Sequence, residues 1–139
     1  MFRHILVPID LSERTDRAVD MARSLGEPGR ARVTLFHVIE TIAGAEYDEF
    51  RPFYRELEGR ASRHLAALAS RFEGSDLEVG RTVVFGKPAE EIIRFAVDHR
   101  VDLIVLASHK VDVSRPGHGW GTLSYKIGVL APCPVMLVK

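Results

Sequence analysis

Two runs in this chain, Ile5-Leu6-Val7-Pro8-Ile9 and Leu103-Ile104-Val105-Leu106-Ala107, are apolar at every position. A strand with one wet face alternates polar with apolar residues, so a strand that does not alternate must be covered on both faces. Strands of that kind belong to parallel sheets with helices above and below, and every other segment has to be compatible with that.

The segments between supply the helices. Thr15, Ala18, Val19, Ala22 and Leu25 share one helical face, with Ser12 placed as its N-cap and Gly26, Pro28 and Gly29 ending it. A second strand covers Val33 to Ile39, and after an irregular stretch a longer helix carries Tyr54, Leu57, Ala61, Leu65, Leu68 and Phe72 at spacings of three and four. Leu77 to Phe85 alternates and contains Arg81, which suits an edge strand. Gly86-Lys87-Pro88 is a turn that puts Pro88 at the first position of a third helix, whose buried face is Ile92, Ile93, Ala96 and Val97. The fourth strand is Val101 to Ala107; a glycine-rich loop, a helix from Thr122 to Leu130 and a strand from Pro134 to Val138 follow. The expected fold is one α/β domain over residues 1–139, with a parallel sheet and helices on both faces.

In such sheets ligands bind beyond the carboxyl ends of the strands, where the strand order reverses. If the two apolar strands are neighbours there, the order is 3-2-1-4-5. Asp10, Val38 and Ser108 then rim one crevice, with the Gly117–Thr122 loop across it. Gly117, Gly119 and Gly121 ahead of a helix starting at Thr122 can form a backbone nest for an anion. Each residue also has a plainer reading. Asp10 can simply cap the next turn, Lys110 and Arg115 can be solvated loop charges, and the glycines can serve a tight turn.

Nineteen basic and nineteen acidic residues cancel, so no overall field draws the chain to nucleic acid or an anionic membrane. The apolar runs are too short to span a bilayer, and no basic-then-apolar leader opens the sequence, so a cytoplasmic protein is expected. There is no P-loop and no Gly-x-Ser-x-Gly elbow. A receiver domain needs an acidic residue where this chain has Val84-Phe85-Gly86. The six histidines lack zinc-site spacing, so no metal site is expected. Cys133, between two prolines, reads as a small buried hydrophobe.

The segment Ile5-Leu6-Val7-Pro8-Ile9-Asp10-Leu11-Ser12 is similar to the first strand and turn of the universal stress protein family. Gly86-Lys87-Pro88 with Glu91-Ile92-Ile93 resembles that family's third-helix entry. Asp102 to His109 and Ala131 to Val138 resemble its last two strands, so the likeness covers the whole chain. It implies an adenine nucleotide α-hydrolase-like, Rossmann-like fold: an open parallel sheet of five strands in the order 3-2-1-4-5. It also implies a homodimer paired through Val135, Met136, Leu137 and Val138, acting with a signalling or regulatory partner.

Family members divide into ATP binders and others. The binders' signature is Gly-x2-Gly-x9-Gly-Ser/Thr, and this chain departs from it: Ala107 and Lys110 stand at the first two glycine positions, and ten residues, Val111 to Trp120, precede Gly121-Thr122. Carried over by position, Pro8, Asp10 and Val38 line the adenine and ribose side, and Ala107 adds a methyl where the nucleoside approaches. Ser108, His109, Lys110, Gly119, Gly121, Thr122 and Ser124 lie near the phosphates. Lys110 either obstructs a triphosphate or neutralises it. The resemblance thus implies a dimeric, nucleotide-responsive stress module for ATP, ADP or AMP, with magnesium accompanying the phosphates and at most slow ATP hydrolysis. The alternative it leaves open is a dimeric interaction module of the same family with a closed pocket.

Overall fold

A computed structural model of the chain describes residues 1–41, 49–108 and 122–139, with the side chain of Thr122 left aside. Its strands are β1 (His4–Pro8), β2 (Arg32–Glu40), β3 (Glu78–Gly86), β4 (Leu103–Ala107) and β5 (Val135–Val138). Its helices are α1 (Thr15–Gly26), α2 (Arg51–Ala69), α3 (Pro88–Asp98) and α4 (Thr122–Leu130). The five strands form one sheet in the order β3-β2-β1-β4-β5, every pairing parallel. The order expected from the sequence is the order found.

Alternate residues of the same strands enter two separate cores. Ile5, Val7, Val33, Leu35, Leu103 and Val105 pack on the α1 and α2 side, with Val19, Ala22, Leu65 and Leu68. Leu6, Phe36, Ile104 and Leu106 pack on the α3 and α4 side, with Ile92, Ala96 and Ile127. This is why β1 and β4 cannot alternate in polarity: both of their faces are interior. β3 sits at the edge, and none of its residues is fully buried, in keeping with its alternating sequence.

The lower end of the sheet is tied by polar groups. Asp102, just before β4, accepts from the backbone N–H of Arg3 at 2.8 Å and of His4 at 3.0 Å, so the start of β1 is fastened to β4. His4 is buried; its Nδ1–H donates to the His99 carbonyl at 3.1 Å and its Nε2 accepts from the Thr34 hydroxyl at 2.8 Å. Burial lowers the His4 imidazole below its ordinary range, which keeps it neutral in that pocket.

Two local expectations are corrected. Val97, expected on the buried face of α3, is 56% exposed, and only Ile92 and Ala96 of that helix are fully buried. Ser12 is not the N-cap of α1; Arg14 holds that position, without a side-chain cap. The Ser12 hydroxyl is used up in donating to Asp10 at 2.6 Å, and it is the Ser12 carbonyl that accepts from the Thr15 N–H at 3.4 Å and the Thr15 hydroxyl at 2.7 Å. At the Gly86-Lys87-Pro88 turn, Pro88 does begin α3, directly after Lys87.

Candidate functional site

At the carboxyl end of β1 the ladder runs one residue further, because the Ile9 N–H donates to the Phe36 carbonyl at 2.8 Å. The chain then turns sharply. Leu11 has φ +66°, a conformation that costs a side-chain-bearing residue roughly 1–2 kcal/mol, and Asp10 holds it in place. Asp10 Oδ1 accepts from the Ser12 N–H at 2.9 Å as well as from the Ser12 hydroxyl, and Arg14 reaches Oδ2 at 3.4 Å. The turn-capping reading of Asp10 is therefore observed. The same residue nonetheless lies on the rim of a cleft, so the two readings are compatible.

That cleft, of about 200 Å³, opens where β1, β2 and β4 end and where α3 and α4 begin. Pro8, Phe36, Val38, Ile92, Leu106 and Leu123 make an apolar floor. Asp10, Thr15, His37 and Ser124 add polar groups, and Ala107 and Pro88 complete the wall. The floor follows from strand periodicity: Phe36 and Val38 are two apart on β2 and both pack on the α3 and α4 side, with Ile92 and Leu123. His37, between them, faces the other way, and its Nδ1 hydrogen-bonds to the Ile9 carbonyl. An apolar cleft with a few polar groups in its lining suits a heteroaromatic ring carrying a polar substituent.

Gly86 shapes the entry to α3. Its φ is +151°, and a Cβ there would stand 2.8 Å from Glu91 Cγ. Glycine at this position lets the Glu91 side chain fold back over the turn, where it pairs with Arg94 at 2.9 Å. A broader groove of about 1040 Å³ runs on from the cleft past Pro88 and Leu123. It mixes Lys87, Arg94 and Lys126 with Glu40 and Glu90, so it favours no single ligand charge.

Of the residues the sequence pointed to, Pro8, Asp10, Val38, Ala107 and Ser124 come together at the cleft. Ser108 is one step beyond it. Its N–H donates to the Val138 carbonyl at 2.8 Å, and its hydroxyl accepts from Lys139 Nζ at 3.3 Å. Thr122 is the first residue of α4. His109, Lys110, Gly119 and Gly121 lie outside the described residues. Phe36, His37, Ile92, Leu106 and Leu123 were not singled out from the sequence. Period-two spacing on β2 was the available signal for Phe36, because it places Phe36 with Val38.

Among the described residues, no cluster of three or more His, Cys, Asp or Glu side chains is placed to hold a metal, and no helix is long and apolar enough to cross a membrane. Burial raises the Cys133 thiol, which keeps it protonated and weakly nucleophilic. β5 leaves one edge unpaired among the described residues, and Leu137 on it is 42% exposed.

A family model described as the universal stress protein family matches residues 1–139. A universal stress protein of Thermus aquaticus is 31% identical over the full length of both chains. The solved structure of the protein MJ0577 is 26% identical with a TM-score of 0.85, covering 100% of this chain and 96% of its own. An Arabidopsis thaliana relative solved with AMP bound has 18% identity and a TM-score of 0.69, over 99% of this chain and 91% of that one. A universal stress protein of Archaeoglobus fulgidus solved in complex with dAMP has the same identity, 18%, and the same TM-score, 0.69, over 99% of this chain and 98% of that one.

Proposed function

We propose, for a chain that belongs to the universal stress protein family, that the cleft at the ends of β1, β2 and β4 binds an adenine nucleotide. The observation that carries this reading is the pairing of an apolar floor with a polar rim at the strand ends: Pro8, Val38, Ile92 and Leu106 beside Asp10 and His37. Adenine is flat and largely apolar on its faces, and its ribose presents hydroxyl donors to an acceptor such as the Asp10 carboxylate. Solved relatives that carry AMP and dAMP support the ligand class. The phosphates would extend past Ser124 toward the start of α4, whose free N–H groups favour an anion; magnesium would accompany ADP or ATP there.

The module works by binding rather than by turnover. Asp10 is already engaged by Ser12 and Arg14, which suits it to holding a hydroxyl better than to taking up a proton. The nucleotide instead biases the conformation of neighbouring segments that a cytoplasmic signalling partner reads. A homodimer forms through the open edge of β5, and α4 extends the apolar surface beside it: Tyr125 is 74% and Val129 64% exposed. Leu137→Asp should then give monomers in sedimentation, and an unchanged dimer would place the interface elsewhere. For the nucleotide, thermal melts are measured with AMP, ADP and ATP, with and without magnesium. A ligand at about a hundred times its dissociation constant adds about 2.7 kcal/mol of stability. No shift with any of them at millimolar concentration overturns the reading.

A further inference from the structure

We propose that His37 is a ligand-binding residue in its own right: its Nε2 accepts a hydrogen bond from a ribose hydroxyl, beside the Asp10 carboxylate. The inference rests on the nucleotide reading and adds a specific atom to it. The protonation of the ring follows from its partner. Nδ1 faces the Ile9 carbonyl, and a carbonyl oxygen only accepts, so Nδ1 must carry the hydrogen. In the neutral imidazole the other nitrogen is then a bare acceptor. Nε2 has no partner among the described residues, and it is not sealed from the surface either, since His64 Nε2 is the one buried side-chain nitrogen or oxygen found without a partner among those residues.

The position of the ring fits a sugar better than a base. Phe36 and Val38, its neighbours on β2, turn to the α3 and α4 side and make the apolar floor. His37 lines the same cleft from the opposite face of the strand, tied to the residue that precedes Asp10. The cleft therefore offers two acceptors, a carboxylate and an imidazole nitrogen, on residues that both line it. A ligand meeting both needs two donors, which the vicinal hydroxyls of a ribose supply. A base alone, lying on the floor, would leave Nε2 without a partner.

The tie to Ile9 gives His37 a structural task as well, and a suitable variant separates the two. In His37→Asn the side-chain amide nitrogen occupies the place of Nδ1 and can still donate to the Ile9 carbonyl, but nothing replaces Nε2. In His37→Phe both are lost. The experiment is calorimetric titration of the wild type and both variants with AMP, 2′-deoxy-AMP and 3′-deoxy-AMP. A neutral hydrogen bond corresponds to roughly a three- to tenfold change in affinity. The expected result is that wild type prefers AMP over one deoxy analogue by about that factor, and that both variants bind AMP and that analogue equally. His37→Asn should do so while melting close to wild type.

Two outcomes overturn the inference while leaving nucleotide binding intact: a wild type indifferent to both deoxy analogues, or a His37→Asn variant that keeps the wild-type preference. If no nucleotide binds the wild type, the wider reading falls and this one with it.

Discussion

Gly86→Ala should be among the more damaging one-carbon additions this chain can receive. Two costs arise from the structure. The φ of +151° lies in a region that side-chain-bearing residues avoid, worth about 1–3 kcal/mol. The new Cβ would also stand 2.8 Å from Glu91 Cγ, well inside contact distance, and overpacking of that kind costs about 1–2 kcal/mol once neighbours have shifted. Together the loss is roughly 2–5 kcal/mol, a fall in melting temperature of about 7–17 °C for a chain of this length. Chemical denaturation followed by circular dichroism measures it. Glu91→Ala alone removes a partly exposed pair with Arg94 and should cost about 1 kcal/mol or less. The double variant Gly86→Ala, Glu91→Ala removes the collision and not the backbone strain, so it should recover only part of the loss. A Gly86→Ala protein within about 0.5 kcal/mol of wild type would refute the reasoning. Complete recovery in the double variant would show that the collision alone matters.

Two further predictions concern charges away from the cleft. His4 is held neutral by burial, so its folded value lies below its unfolded value and the unfolded chain takes up the proton first as pH falls. Its contribution is complete above about pH 6.5 and is lost on acidification through the folded value, with a slope of at most about 1.4 kcal/mol per pH unit. Stability measured against pH should show that slope in wild type and lose it in His4→Gln; identical profiles would remove His4 from the explanation. Arg71 bridges Asp20 at 2.9 Å and Asp16 at 3.6 Å, fastening the end of α2 to α1, and its hydrogen bond to Asp20 lowers that carboxyl. All three side chains are largely exposed, so a double-mutant cycle on Arg71 and Asp20 should give only about 0.2–1 kcal/mol of coupling, shrinking with salt. Coupling that salt does not reduce would contradict an electrostatic origin.

The fold was legible because its demands are repetitive. Ile5 to Ile9 and Leu103 to Ala107 had to be interior on both faces, and that requirement leads to a parallel sheet, its central strands and the crevice at their ends. Helix ends were less legible. Ser12 has the chemistry of a cap, but Asp10 competes for its hydroxyl, and the contest is settled by a turn geometry at Leu11 that composition does not encode. The cleft was visible in part. Pro8, Asp10, Val38 and Ala107 stand at strand ends, where topology places ligands. His37 was hidden because its role depends on which way one ring nitrogen points, and Ile92 and Leu123 because their helices approach the cleft from distant parts of the sequence.

The central claim, that the strand-end cleft takes an adenine nucleotide, is tested most directly by calorimetric titration of AMP into wild type and into Ala107→Leu. Ala107 lines the cleft, so the larger side chain would take up part of its volume. The account predicts saturable one-site binding to wild type and its loss in a variant whose circular dichroism spectrum is unchanged. Absence of binding to wild type, or equal binding to both proteins, would contradict it.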